Sequence, residues 1–307
     1  MHRVLRMKFN RRNFLRIALG ASLPLLTGCA AHRATHDEQF AETMFDFKRD
    51  DRFKRPVLRT VSGSGPAVVL LHELQGLSWE DMLLAHRIAD EGFQVYLPVL
   101  FGTVKENSVG FGYSQSCVSG EFECSKLSAR SSILDWLEEV CTRVSDDTSG
   151  GRIGVIGMCL TGTFPLALLH DRVQAAVLCQ PSLPFTALLG RPIGAQKTDI
   201  GLSVKDLDVA QHSNVPFLTM RYAGDPRCPQ ERMAKLRDLF KQRLADIELA
   251  GEGHSTLAGN FNASAFTETI QYLKVRLGSK SGPIRMNLAK LDGKDCEITA
   301  DGNWRAV

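Results

Sequence analysis

The stretch Arg152-Ile153-Gly154-Val155-Ile156-Gly157-Met158-Cys159-Leu160-Thr161-Gly162 decides how the chain is read. An apolar β-type run up to Gly157 meets a glycine-bounded turn, and a helical pattern follows over 160–170. Strand, turn and helix in that order place the one nucleophilic side chain, Cys159, at the turn. A side chain lifted there faces the positive end of a helix, which favours an anion and so a reactive thiolate. Taken alone, the same cysteine also reads as a small buried hydrophobe.

A nucleophile needs a base, and the base needs an orienting group. Val215-Pro216-Phe217-Leu218-Thr219-Met220-Arg221-Tyr222 reads as a buried strand, and Ala223-Gly224-Asp225-Pro226 after it places Asp225 at the strand's carboxyl end. Ile247-Glu248-Leu249-Ala250 reads as another strand. It runs into Gly251-Glu252-Gly253-His254-Ser255, which puts His254 on a loop. Nucleophile, acid and histidine, each after its own strand, follow the chain order of an α/β-hydrolase. Acyl transfer also needs donors for the developing oxyanion. The backbone N–H of Leu160, directly after the nucleophile, is one candidate. The other is Leu74 N–H, in the loop His72-Glu73-Leu74-Gln75-Gly76 that follows the early strand 66–71.

Glu73-Leu74-Gln75-Gly76 after an apolar strand, Gly157-Met158-Cys159-Leu160-Thr161-Gly162, Gly224-Asp225 and Gly253-His254 together resemble the dienelactone hydrolase family. The resemblance covers about residues 55–278. It implies an α/β-hydrolase fold, a mostly parallel central sheet flanked by helices on both faces, and a Cys159–His254–Asp225 triad. It also implies that Glu73 contacts the resting Cys159 and helps switch it between a protected thiol and a reactive thiolate. The sequence departs from the family pattern at several points. Thr161 stands where the family usually has glycine, and Pro98-Val99-Leu100 stands where it tends to read Pro-Asp-Leu. Two substrate-binding arginines of true dienelactone hydrolases are missing, with Phe101-Gly102-Thr103 and Ala258 at those places. Without these charge-assisted anchors, a small anionic lactone is a poor fit, and a neutral ester, lactone or thioester is expected. The rival expectation is an inactive binding or scaffold lipoprotein on the same fold.

Asn10-Arg11-Arg12-Asn13-Phe14-Leu15-Arg16 resembles a twin-arginine export signal. The apolar run from Ile17 to Leu26 is too short to remain as a spanning helix. Leu26-Thr27-Gly28-Cys29 resembles a bacterial lipobox, which implies cleavage before Cys29 and lipidation of its thiol. The expectation is a chain anchored to the cell envelope and facing the periplasm; a cleavable secretory peptide without lipid is the alternative. Residues 1–28 then form the signal, 29–54 a tether with an N-terminal segment, 55–278 the catalytic domain and 279–307 a β-rich extension.

Lys and Arg number 37 and Asp and Glu 34 in 307 residues, a net charge of +3 to which the leader contributes much. That near-neutral balance argues against a nucleic-acid partner. A small-molecule substrate and a monomer are expected, with no cofactor and no metal, because no cysteine pair shows zinc spacing and no phosphate-cradling glycine loop occurs. Cys117 and Cys124 could pair in an oxidising compartment, which the sequence leaves open. Cys141 and Cys179 read as core and Cys228 as packing. Phe101, Phe111, Tyr113, Phe122 and Phe185 could line an acyl pocket or pack in the core.

Overall fold

Val68 and Leu70 join one hydrophobic core and Val69 and Leu71 the other, and all four are buried. A strand that hides both of its faces must have layers above and below it, and parallel sheets meet that need with helices. The computed structural model describes residues 47–53, 55–73, 76–100, 132–148, 150–170, 172–183, 197–278 and 281–307. Cys29, Leu74, Cys117, Cys124 and the aromatics Phe101, Phe111, Tyr113, Phe122 and Phe185 lie outside the described residues.

The strands are β1 (Phe47–Arg49), β2 (Val57–Thr60), β3 (Ala67–Leu71), β4 (Gln94–Pro98), β5 (Ile153–Met158), β6 (Val173–Cys179), β7 (Phe217–Tyr222), β8 (Leu244–Leu249), β9 (Ile284–Leu291), β10 (Lys294–Ile298) and β11 (Trp304–Ala306). They form one sheet in the order β1-β2-β4-β3-β5-β6-β7-β8-β9-β10-β11. The six strands from β4 to β8 in that order run parallel, and the pairs outside them are antiparallel. The helices are α1 (Trp79–Asp90), α2 (Ser132–Asp147), α3 (Phe164–Ala167), α4 (Val204–His212), α5 (Gln230–Phe240) and α6 (Ala263–Arg276). α1 and α6 supply apolar residues to one core, and α2 and α5 to the other. This is the α/β architecture expected from the alternation of strand and helix patterns.

The helix expected over 160–170 is corrected by the structure. A single 3-10 turn, Cys159–Thr161, is followed by the four-residue α3. Pro165 is the cause, because it has no N–H to return to the carbonyl of Thr161 and its ring tolerates only the first turn of a helix. Cys159 therefore does not sit at the mouth of a long helix.

The strands of the extension continue the sheet beyond β8, with Asp246 of β8 paired to Lys290 of β9. Glu268 of α6 secures them, its carboxylate accepting the backbone N–H groups of Asn287, Leu288 and Ala289. Trp304 of β11 stacks on Tyr272 of α6 at 5.5 Å and donates its indole N–H to Phe217 O of β7. The buried Tyr272 hydroxyl accepts from Ala176 N of β6 at 2.9 Å and donates to Pro216 O at 2.7 Å. Tyr272→Phe strips both buried backbone groups of their partner. It should cost about 1–3 kcal/mol, read as a lower urea midpoint at unchanged slope; an unchanged midpoint would refute the assignment of Tyr272 as a structural tie.

Candidate active site

Met158, the last residue of β5, is extended, and the next residue, Cys159, turns to φ +55°. A non-glycine residue in that left-handed region is strained, and the strain has to be held by its surroundings. Two glycines make room. A Cβ on Gly157 would stand 2.1 Å from Thr161 O, and one on Gly162 would stand 2.6 Å from Pro181 Cα. Thr161, where the resemblance expected glycine, adds a fastening of its own. Its buried hydroxyl accepts the N–H of Met158 at 2.9 Å and lies within donating reach of the carbonyls of Met158, Leu71 and His72. The side chain that looked like a departure thus ties the elbow to the end of β3.

Around Cys159 gather side chains from the carboxyl ends of the neighbouring parallel strands. Glu73 follows β3, Asp225 follows β7 and His254 follows β8. Cys159 Sγ, a Glu73 carboxylate oxygen and a His254 ring nitrogen all lie within 4.8 Å of one another. His254 Nδ1 is 2.7 Å from Asp225 Oδ2, so Nδ1 carries the proton and donates it to the carboxylate. The other ring nitrogen, Nε2, is buried and is left to interact with Cys159. Asp225 is fixed in turn by the N–H of Arg227 on its other oxygen, at 2.9 Å. The loops carrying the acid and the histidine are tied directly, Gly224 N donating to Gly251 O at 2.8 Å. The two loops pass so closely that a Cβ on Gly253 would stand 2.7 Å from the Tyr222 ring. The structure thus brings Asp225, His254, Cys159 and Glu73 together. Leu160 is buried in the turn behind the nucleophile, and the second donor candidate, Leu74, falls outside the described residues.

Sequence reasoning missed the contribution of β6. Ser182 places its hydroxyl 3.1 Å from Cys159 Sγ, and its N–H donates to Cys159 O at 2.9 Å. Gln180, fully buried at φ +34°, bridges two loops. Its Oε1 accepts both the N–H and the hydroxyl of Thr256, beside His254, at 3.2 and 2.6 Å. Its amide nitrogen therefore faces the other way, donating to Glu73 Oε1 at 3.0 Å. The usable signal was positional, because both residues follow a parallel strand at its carboxyl end, where ligands bind in such sheets.

His72 is wholly buried and neutral. Desolvation holds its ring down at about 4 although the adjoining Glu73 carbonyl opposes that. The ring spans two loops, its Nδ1 at 2.7 Å from Glu73 O and its Nε2 accepting Leu100 N at 2.9 Å. Burial first, and the nearby Glu73 charge second, push the Asp81 carboxyl up to about 8. Cys228, read as packing, is buried against Met233 with a sulfur–sulfur distance of 3.8 Å, and burial pushes its thiol up to about 12. Two buried guanidiniums brace the turns. Arg221 donates to the carbonyls of Ala223 and Cys228 on either side of Asp225, and Arg232 donates to Pro181 O beside Ser182.

Burial opposes the charge on His254. The Cys159 thiolate and the Asp225 carboxylate more than offset it and push the imidazole up to about 10. Because this lies above the ordinary 6.5, the charged ring stabilises the fold fully below about 6.5, and that contribution is lost as the pH rises through about 10. Cys159→Ala removes the anion named here. The His254 ring signals, followed by NMR against pH, should then titrate lower by about one unit or more; an unmoved midpoint would show that the thiolate does not set it.

The family model for the dienelactone hydrolase family matches residues 56–261. No curated protein sequence matches the chain. Among solved structures, an esterase from Pyrococcus furiosus superposes with a TM-score of 0.55 at 14% identity, over 77% of this chain and 96% of its own. An α/β-hydrolase from a Penicillium species superposes with a TM-score of 0.52 at 15% identity, over 73% of this chain and 94% of its own. At such identities the likeness speaks for the fold.

Proposed function

Because the chain belongs to the dienelactone hydrolase family, we propose that it cleaves a neutral ester, lactone or thioester through Cys159 and a covalent acyl-enzyme. One observation carries this reading: the cluster of Cys159, His254 and Glu73 within 4.8 Å, with Asp225 holding the far side of the histidine.

The chemistry follows from the partners. The Cys159 thiolate, beside the protonated His254 and with the Ser182 hydroxyl as a hydrogen-bond donor, attacks the substrate carbonyl. Backbone N–H groups of Leu160 and Leu74 serve as the donors to the oxyanion. His254 passes its proton to the leaving oxygen or sulfur, and Asp225 keeps the ring in the required tautomer. Water, deprotonated by His254, then splits the thioester and frees the acid. Glu73, held by Gln180, stands near the sulfur in the resting site and guards it until substrate displaces the carboxylate. The preference for neutral substrates rests on Phe101-Gly102-Thr103 and the buried Ala258, which offer no cation to a small carboxylate.

Purified protein assayed on p-nitrophenyl esters, lactones and acyl thioesters should hydrolyse at least one class, and Cys159→Ala should lose about 10⁴-fold or more in kcat. Wild-type turnover in the variant would sink the mechanism. Inactivity of both proteins across the panel would favour the binding-protein alternative.

The leader motifs support a further proposal, that the enzyme is tethered to the cell envelope through a lipidated Cys29. Labelled fatty acid should enter the wild-type protein and not Cys29→Ser, which should leave the membrane fraction. Equal labelling of both would remove the anchor.

A further inference from the structure

The Cys159 sulfur, a His254 ring nitrogen and a Glu73 carboxylate oxygen meet within 4.8 Å of one another. These are the three kinds of side-chain donor that Zn²⁺ takes, and three protein ligands with one open position form a recurring zinc geometry. Tetrahedral bonds of about 2.0–2.3 Å set donors about 3.3–3.6 Å apart, so closure by roughly 1.5 Å at most completes the set. The charges also match. Two anions and a neutral imidazole cancel the dication, which is what a buried ion requires.

The surroundings are those of a ligand set as well as of a triad. Metal-bound histidines donate their other ring N–H to a carboxylate, and ligating carboxylates are themselves hydrogen-bonded. His254 Nδ1 is engaged by Asp225 at 2.7 Å, which leaves the buried Nε2 to Cys159 and so free to move from the sulfur to a metal. Glu73 Oε1 accepts from Gln180, whose amide is locked in that orientation by Thr256. The Ser182 hydroxyl lies 3.1 Å from the sulfur and can donate to a metal-bound thiolate.

We propose that Glu73, Cys159 and His254 bind Zn²⁺ and that the bound ion reversibly shuts off the Cys159 chemistry. The second half rests on the hydrolase reading and the first does not. On binding, Sγ, Nε2 and a Glu73 oxygen each donate an electron pair to the metal. The one proton shared by Cys159 and His254 leaves to solvent, a water takes the fourth position, and nothing is oxidised or reduced. The pair that would attack a carbonyl is then committed to the metal, and His254 has no nitrogen left for proton transfer. Mg²⁺ and Ca²⁺, which need more oxygen ligands, do not fit this set.

The full chain is titrated with Zn²⁺ by calorimetry and, in parallel, during ester hydrolysis. One ion per chain should bind at a site that Cys159→Ala abolishes. Glu73→Gln should weaken it at least tenfold, and Gln180→Leu roughly 10–100-fold. Hydrolysis should fall with occupancy and return on adding EDTA, while excess Mg²⁺ changes neither. Cd²⁺ gives a readout that needs no variant: its thiolate charge-transfer band should appear in the wild type and vanish after iodoacetamide blocks Cys159. Equal Zn²⁺ affinity in wild type and Cys159→Ala, or an affinity indifferent to Glu73→Gln, overturns the site. Binding without loss of hydrolysis overturns the regulation. Binding at these residues in a protein that hydrolyses nothing keeps the metal site and removes the hydrolase reading; hydrolysis without such binding does the reverse.

Discussion

One backbone angle governs this molecule, the left-handed turn of Cys159 at the end of β5. A side chain with a Cβ resists that conformation, and only dense packing from several directions keeps it there. The glycines at 157 and 162 let the carbonyl of Thr161 and the backbone of Pro181 come closer than any side chain would permit. The Thr161 hydroxyl and the Ser182 N–H then bind the turn to β3 and to the segment after β6. The neighbouring strand ends are thereby drawn toward the sulfur, and the remaining functional groups arrive on them.

Much of this could be read from the chain before its shape was known. Apolar runs alternating with helical patterns gave the layered parallel sheet, and the glycine-flanked Cys159 marked the strand-to-helix corner. Asp225 and His254 were legible because each closes a strand in a fixed order along the sequence. What stayed hidden depended on distance in the chain. Gln180 meets Glu73 across 107 residues and Thr256 across 76, and no local pattern announces such a bridge. The helix after the elbow was overextended because hydrophobic periodicity ran through Pro165, whereas backbone hydrogen bonding could not. The fastening by Thr161 was not legible because its hydroxyl reaches Leu71 and His72, some 90 residues away in the chain. The meeting of Glu73, Cys159 and His254 is invisible to spacing rules for a related reason: the three come from three separate loops.

The buried polar groups divide the labour between holding and reacting. His72, Gln180, Arg221 and Arg232 satisfy backbone carbonyls, N–H groups and side-chain partners across loops, which lets irregular chain be buried. Such networks are rigid when complete. Gln180 has a particular place among them, since one amide joins the loop of Glu73 to the loop of His254. Glu73 and His254 are thus mounted on a common strut.

Among the described residues the sheet ends on two very short strands, Phe47–Arg49 and Trp304–Ala306, each three residues long. A long, flat, uncovered strand is a template on which another chain can add and propagate as aggregate, and short charged margins are a common defence. Lys48 and Arg49 sit on one margin and Arg305 on the other. The parallel strands whose carboxyl ends bear Cys159, Asp225 and His254 are therefore kept inside, between antiparallel borders that offer a stray strand little to pair with. The risk of self-association is thus confined to places far along the sheet from Cys159.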